Sequence, residues 1–138
     1  MKGANYMYTL QERQNFINDM LSHISELYDL SNVQLFVFGS FLTDDFTPNK
    51  SDIDIGVYCD DETKMYNIQY DLKLYFDSYN LKSDIVIMHL HDKLLINVPI
   101  LLYGTQLTEY EDTKLFDYLV HMIKNHNLDT TNLILQGV

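Results

Sequence analysis

Apolar side chains recur at two different periods along the chain, and the switches between them mark out eight segments. Thr9-Leu10-Gln11-Glu12 has the form of a capping box, and Phe16, Ile17, Met20, Leu21, Ile24, Leu27 and Tyr28 then follow at helical spacing. This predicts a first helix over about residues 10–29. Val33 to Phe38 is a β-branched and aromatic run that stops at Gly39-Ser40, as a buried strand does on entering a turn. After a loop with Pro48, residues 52–58 alternate strictly: Ile53, Ile55 and Val57 on one face, Asp52, Asp54 and Gly56 on the other. Asp60-Asp61-Glu62 opens a helix whose apolar side is Met65, Ile68, Leu72, Phe76 and Tyr79. Asp84 to Met88 reads as a third strand. A helix capped by Asp92 carries Leu94, Leu95, Val98, Leu101 and Leu102 to Gly104, residues 106–110 form a short edge strand, and a last helix spans about 113–126. The predicted order is α-β-β-α-β-α-β-α, an α/β (α+β) fold in which helices flank a small mixed sheet.

Length and composition narrow the picture. A chain of 138 residues with 46% hydrophobic content can close one modest core, and it is read as a single domain over 1–138. Twenty acidic against nine basic side chains give a net charge of -11, which argues against nucleic acid as a direct partner and favours a basic protein or a metal-carrying ligand. The single cysteine, Cys59, excludes an internal disulfide and a cysteine zinc cluster. With no signal-peptide pattern and no membrane-length apolar run, the expected location is the cytoplasm.

Three features have mutually consistent chemistry: Gly39-Ser40 at a strand end, Asp52-x-Asp54 on the next strand, and Asp84 at the start of a third. Residues two apart on a strand point the same way, so Asp52 and Asp54 place two carboxylates side by side, a charge that a divalent cation relieves. Such hard oxygen ligands suit Mg²⁺ shared with substrate phosphates. The Gly-Ser turn can offer amide N–H groups and a hydroxyl to a phosphate chain, and Asp84 can complete a second metal site or accept a proton. A competing zinc reading attaches to His89-x-His91, with no further ligand at a persuasive spacing.

Phe36-Val37-Phe38-Gly39-Ser40, with eleven residues between Ser40 and Asp52, followed by Asp52-Ile53-Asp54-Ile55 and later Ser83-Asp84-Ile85-Val86, resembles the signature of the DNA polymerase β nucleotidyltransferase superfamily. The ending Ile100 to Glu111 is similar to its minimal nucleotidyltransferase (MNT) group, the antitoxins of HEPN/MNT toxin–antitoxin pairs. The resemblance implies a polymerase β-like core, ATP bound through Gly39 and Ser40, and Mg²⁺, two ions, held by Asp52, Asp54 and Asp84 as catalytic residues. It also implies transfer of AMP to a tyrosine of a basic HEPN ribonuclease toxin, with which the chain would form a hetero-oligomer. Two other functions share the motif: an antitoxin that blocks its toxin by contact alone, and an aminoglycoside-type small-molecule nucleotidyltransferase. The HEPN toxin signature, an arginine followed four to six residues later by histidine, argues against the toxin role, since the sole arginine, Arg13, has no such histidine.

Overall fold

The structure, a computed structural model, describes residues 8–48, 50–90 and 96–126. Helix α1 (Leu10–Leu27) starts on the predicted capping box: Glu12 N–H donates to Thr9 Oγ1 and Thr9 N–H to Glu12 Oε1, each at 3.0 Å. These two bonds satisfy amides that the first helical turn leaves orphaned. Strand β1 (Val33–Phe38) pairs antiparallel with β2 (Ile53–Cys59) from Val33↔Cys59 to Phe38↔Asp54. Helix α2 (Glu62–Ser78), capped by Asp61 accepting from the Lys64 amide at 3.1 Å, carries the chain over to β3 (Ser83–Ile87). That crossover makes β3 parallel to β2, in the register Asp54↔Asp84. Helix α3 (Asn97–Tyr103), strand β4 (Thr105–Gln106) and helix α4 (Thr113–His126) complete the order. The sheet runs β3-β2-β1-β4, and β4 lies antiparallel to β1.

Two differences from the sequence reading stand out. Helix α3 begins at Asn97; the expected cap Asp92, with Leu94 and Leu95, lies outside the described residues. The edge strand is only two residues long, because Gln106 turns its side-chain amide onto the Thr108 and Tyr110 carbonyls, at 2.8 and 2.6 Å, which folds residues 107–110 into a loop.

The strict alternation in β2 decides which face packs where. Ile53, Ile55 and Val57 join Phe16, Ile17, Met20 and Ile24 of α1 and Met65, Ile68, Leu72 and Phe76 of α2 in the main core. The opposite face, which carries Asp54, Gly56 and Tyr58, receives Met88, Ile100 of α3 and Leu115 of α4. Gly56 permits this approach: a Cβ there would stand 3.0 Å from Met88 Sδ and 3.2 Å from Ile100 Cγ2. Overfilling such a contact costs about 1–3 kcal/mol. Gly56→Val is therefore expected to lower the thermal midpoint by several degrees, and Gly56→Ala by less, in a thermal melt followed by circular dichroism. Among the described residues no helix is long and apolar enough to cross a membrane.

Candidate active site

Everything singled out in the sequence for phosphate chemistry falls at one end of the sheet. β1 finishes there at Phe38, β2 and β3 start there, and the row Phe38–Asp54–Asp84 runs straight across three strands. Neighbouring strands stand about 5 Å apart, so Asp54 and Asp84 project side by side on the face that α3 partly covers. Asp52 is two residues earlier, immediately before β2, and it and Asp84 are exposed while Asp54 is half-buried.

Gly39 makes the approach between turn and carboxylate possible. Its φ of 70° is in the left-handed region, and a Cβ at this position would collide with Asp54 Oδ2 and stand 3.4 Å from its Cγ. Ser40 follows, and its carbonyl accepts the Thr43 amide at 2.9 Å and the Thr43 hydroxyl at 2.8 Å, closing a tight turn. The strand end, the turn and the acidic row are thus one unit.

Electrostatics mark the same place. Burial, then the Asp84 charge, then that of Asp52 push the Asp54 carboxyl up to about 6, well above an ordinary aspartate. Asp54 thus feels both neighbouring charges, and a cation would relieve that repulsion. Among the described residues no three His, Cys, Asp or Glu side chains form a ready-made metal cluster. The oxygen chemistry of these carboxylates fits a hard divalent ion that takes one or two of them and completes its shell with substrate oxygens.

Other candidates separate from this end. His89, two residues past the end of β3, lines a groove with Cys59 and Asp60 at the opposite end of β2 from Asp54, with its Nε2 3.4 Å from Tyr66 Oη. It is not at the rim of the acidic row; His91 is outside the described residues. Cys59 is a buried core residue, as its neighbourhood in the sequence suggests. Two grooves, of about 580 and 320 Å³, are lined by residues such as Leu21 and Leu107, and Cys59 and His89. Neither contains Gly39, Ser40, Asp52, Asp54 or Asp84.

Arg13, notable in the sequence only as the sole arginine, is built into the site's support. Arg13, only 4% exposed, reaches from α1 to the turn: Nε donates to the Phe41 carbonyl at 2.6 Å and Nη2 to the Thr43 carbonyl at 2.9 Å. The signal was available, since Arg13 stands three and four residues before Phe16 and Ile17 on the apolar stripe of α1.

The family model for the nucleotidyltransferase domain matches residues 17–99, well over half of the chain. The chain belongs to this nucleotidyltransferase family. The match includes the Gly39-Ser40 turn and the aspartates on β2 and β3, and the four helices and four-stranded mixed sheet found among the described residues of this nucleotidyltransferase agree with it. No curated protein matches it in sequence. Among solved structures, a mutant form of the MntA-HpeT toxin–antitoxin pair aligns with a TM-score of 0.52 at 17% identity, over 82% of this chain and 86% of that one. The tri-AMPylated Shewanella oneidensis HEPN toxin in complex with MNT antitoxin aligns with a TM-score of 0.51 at 18% identity, over 86% and 87% of the two chains. These likenesses establish a shared fold.

Proposed function

We propose that this nucleotidyltransferase is an MNT antitoxin that moves AMP from ATP onto a tyrosine hydroxyl of a HEPN toxin and so silences it. The observation that carries the reading is the row in which Gly39, without a side chain, lies against Asp54 while Asp84 stands beside Asp54 on the next strand. A strand end bared for close approach, next to paired carboxylates, suits a triphosphate more than a solvated sheet edge does. The complexes whose fold it shares include one in which the HEPN toxin is AMPylated, which supports the choice of acceptor.

In this reading the Gly39–Ser40 turn holds the triphosphate through backbone N–H groups and the Ser40 hydroxyl. Asp52 and Asp54 would hold Mg²⁺, in two ions with Asp84, and the metal supplies charge neutralisation on the phosphate oxygens. Asp84, the exposed member of the row, accepts the proton of the tyrosine hydroxyl as that oxygen bonds to the α-phosphorus. The bond from the α-phosphorus to the bridging oxygen breaks in line, and pyrophosphate leaves with the electron pair. The net charge of -11 favours a basic partner and gives an association that salt weakens.

Intact-mass spectrometry of the proposed HEPN toxin partner, after incubation with the protein, ATP and Mg²⁺, tests the reading. The expected result is a mass gain in whole adenylate units located on tyrosine. A toxin that is neutralised in cells yet gains no mass would move the function to inhibition by contact.

A further inference from the structure

The turn that follows Gly39-Ser40 has no regular secondary structure to fix it, yet its carbonyls are taken by one buried guanidinium. Arg13 Nε donates to Phe41 O at 2.6 Å, Nη2 to Thr43 O at 2.9 Å, and Nη1 to Tyr8 O at the start of α1 at 3.2 Å. The guanidinium carbon stands 5.3 Å from the centroid of the Phe46 ring, which lies edge to face with Phe41 at 4.9 Å, and Phe41 in turn packs on Phe16 of α1. Both ends of the turn and the helix start therefore converge on the same cation. The bonds are charge-assisted and the fork is planar, so they set direction as well as distance.

From this geometry we infer that Arg13 is a positioning residue for triphosphate recognition, acting through the backbone of residues 41–44. The peptide unit is planar and trans, so the N–H following each carbonyl points the opposite way. Drawing the Phe41 and Thr43 carbonyls toward Arg13 turns the Leu42 and Asp44 amides away from it. Thr43 holds the middle of the turn, with its own amide and hydroxyl on Ser40 O. The result is a pair of amide donors, those of Leu42 and Asp44, whose aim depends on α1, and it explains why a charge stands on that helix's apolar stripe. The guanidinium also adds positive charge behind the turn. A lysine keeps this charge but cannot bond two carbonyls in a plane.

The inference rests on the proposed use of ATP, so the test separates the two. Calorimetric titration compares MgATP with adenosine on the full chain and on Arg13→Lys, Arg13→Gln and Ile24→Ala. The last variant is a cavity control buried on the same helix three turns away. Both Arg13 variants are expected to bind MgATP roughly tenfold or more weakly, with adenosine affinity unchanged. Ile24→Ala should lose thermal stability and keep both affinities. A folded Arg13→Lys or Arg13→Gln that binds MgATP as the wild type does would overturn the inference, and so would an equal loss in Ile24→Ala. Failure of the wild-type chain to bind MgATP would instead remove the proposed function and this inference with it.

Discussion

Asp54→Asn is expected to lower nucleotidyl transfer by about 10³-fold or more while making the metal-free protein more stable at neutral pH. The loss follows from removing the carboxylate at the centre of the Phe38–Asp54–Asp84 row, where a cation and the triphosphate would meet, a contribution of several kcal/mol. The gain follows from the same charge. The folded-state value of about 6 lies above the ordinary 3.8, so the native protein binds this proton more tightly than the unfolded chain does. Ionising Asp54 therefore costs stability: the cost is fully present above about pH 6, shrinks as pH falls, and is absent below 3.8. Because the side chain is half-buried, solvent screening reduces the cost to about 1 kcal/mol, or a few degrees in thermal midpoint. Melts in a chelating buffer should show the variant above the wild type at pH 7.5 and level with it near pH 4. A wild type more stable than the variant at pH 7.5 would mean that Asp54 is satisfied by partners within the fold and is not held under strain for a ligand.

Gly39→Ala should do the opposite to stability and the same to transfer. The new methyl group collides with Asp54 Oδ2, and the backbone at φ 70° is unfavourable for any residue with a Cβ. Together these cost about 1–3 kcal/mol, visible as a fall in the thermal midpoint at every pH. Relief comes by pushing Asp54 aside or by opening the turn, and a displacement of about 1 Å in either is enough for roughly a 10²-fold loss of rate. Steady-state transfer assays should show the loss at saturating ATP. Retention of full activity in a stable Gly39→Ala protein would place the chemistry elsewhere.

How far the sequence could be read depends on whether a feature is periodic or contingent. β2 was readable because one face of Ile53, Ile55 and Val57 is fully buried against two helices, which forces strict alternation and puts Asp54 on the other face. α1 and α2 were readable from their caps and stripes. The Gly-Ser turn and the carboxylates were visible as residue types, but their juxtaposition depends on the register Phe38↔Asp54↔Asp84, which only strand pairing sets. Arg13 escaped because its role comes from partners 28 and 30 residues away, on backbone carbonyls that carry no sequence signature. Gln106 ended β4 early through its side-chain bonds, which a β pattern does not reveal.

The most direct test of the account uses ATP labelled in two ways, at the α-phosphorus and at the γ-phosphorus, with the proposed HEPN partner and Mg²⁺. Label from the α position should appear on the partner and label from the γ position in pyrophosphate, and both should disappear when Asp52 and Asp54 are changed to asparagine. Transfer of the γ label to the partner, or α-label transfer that survives the double substitution, would contradict it.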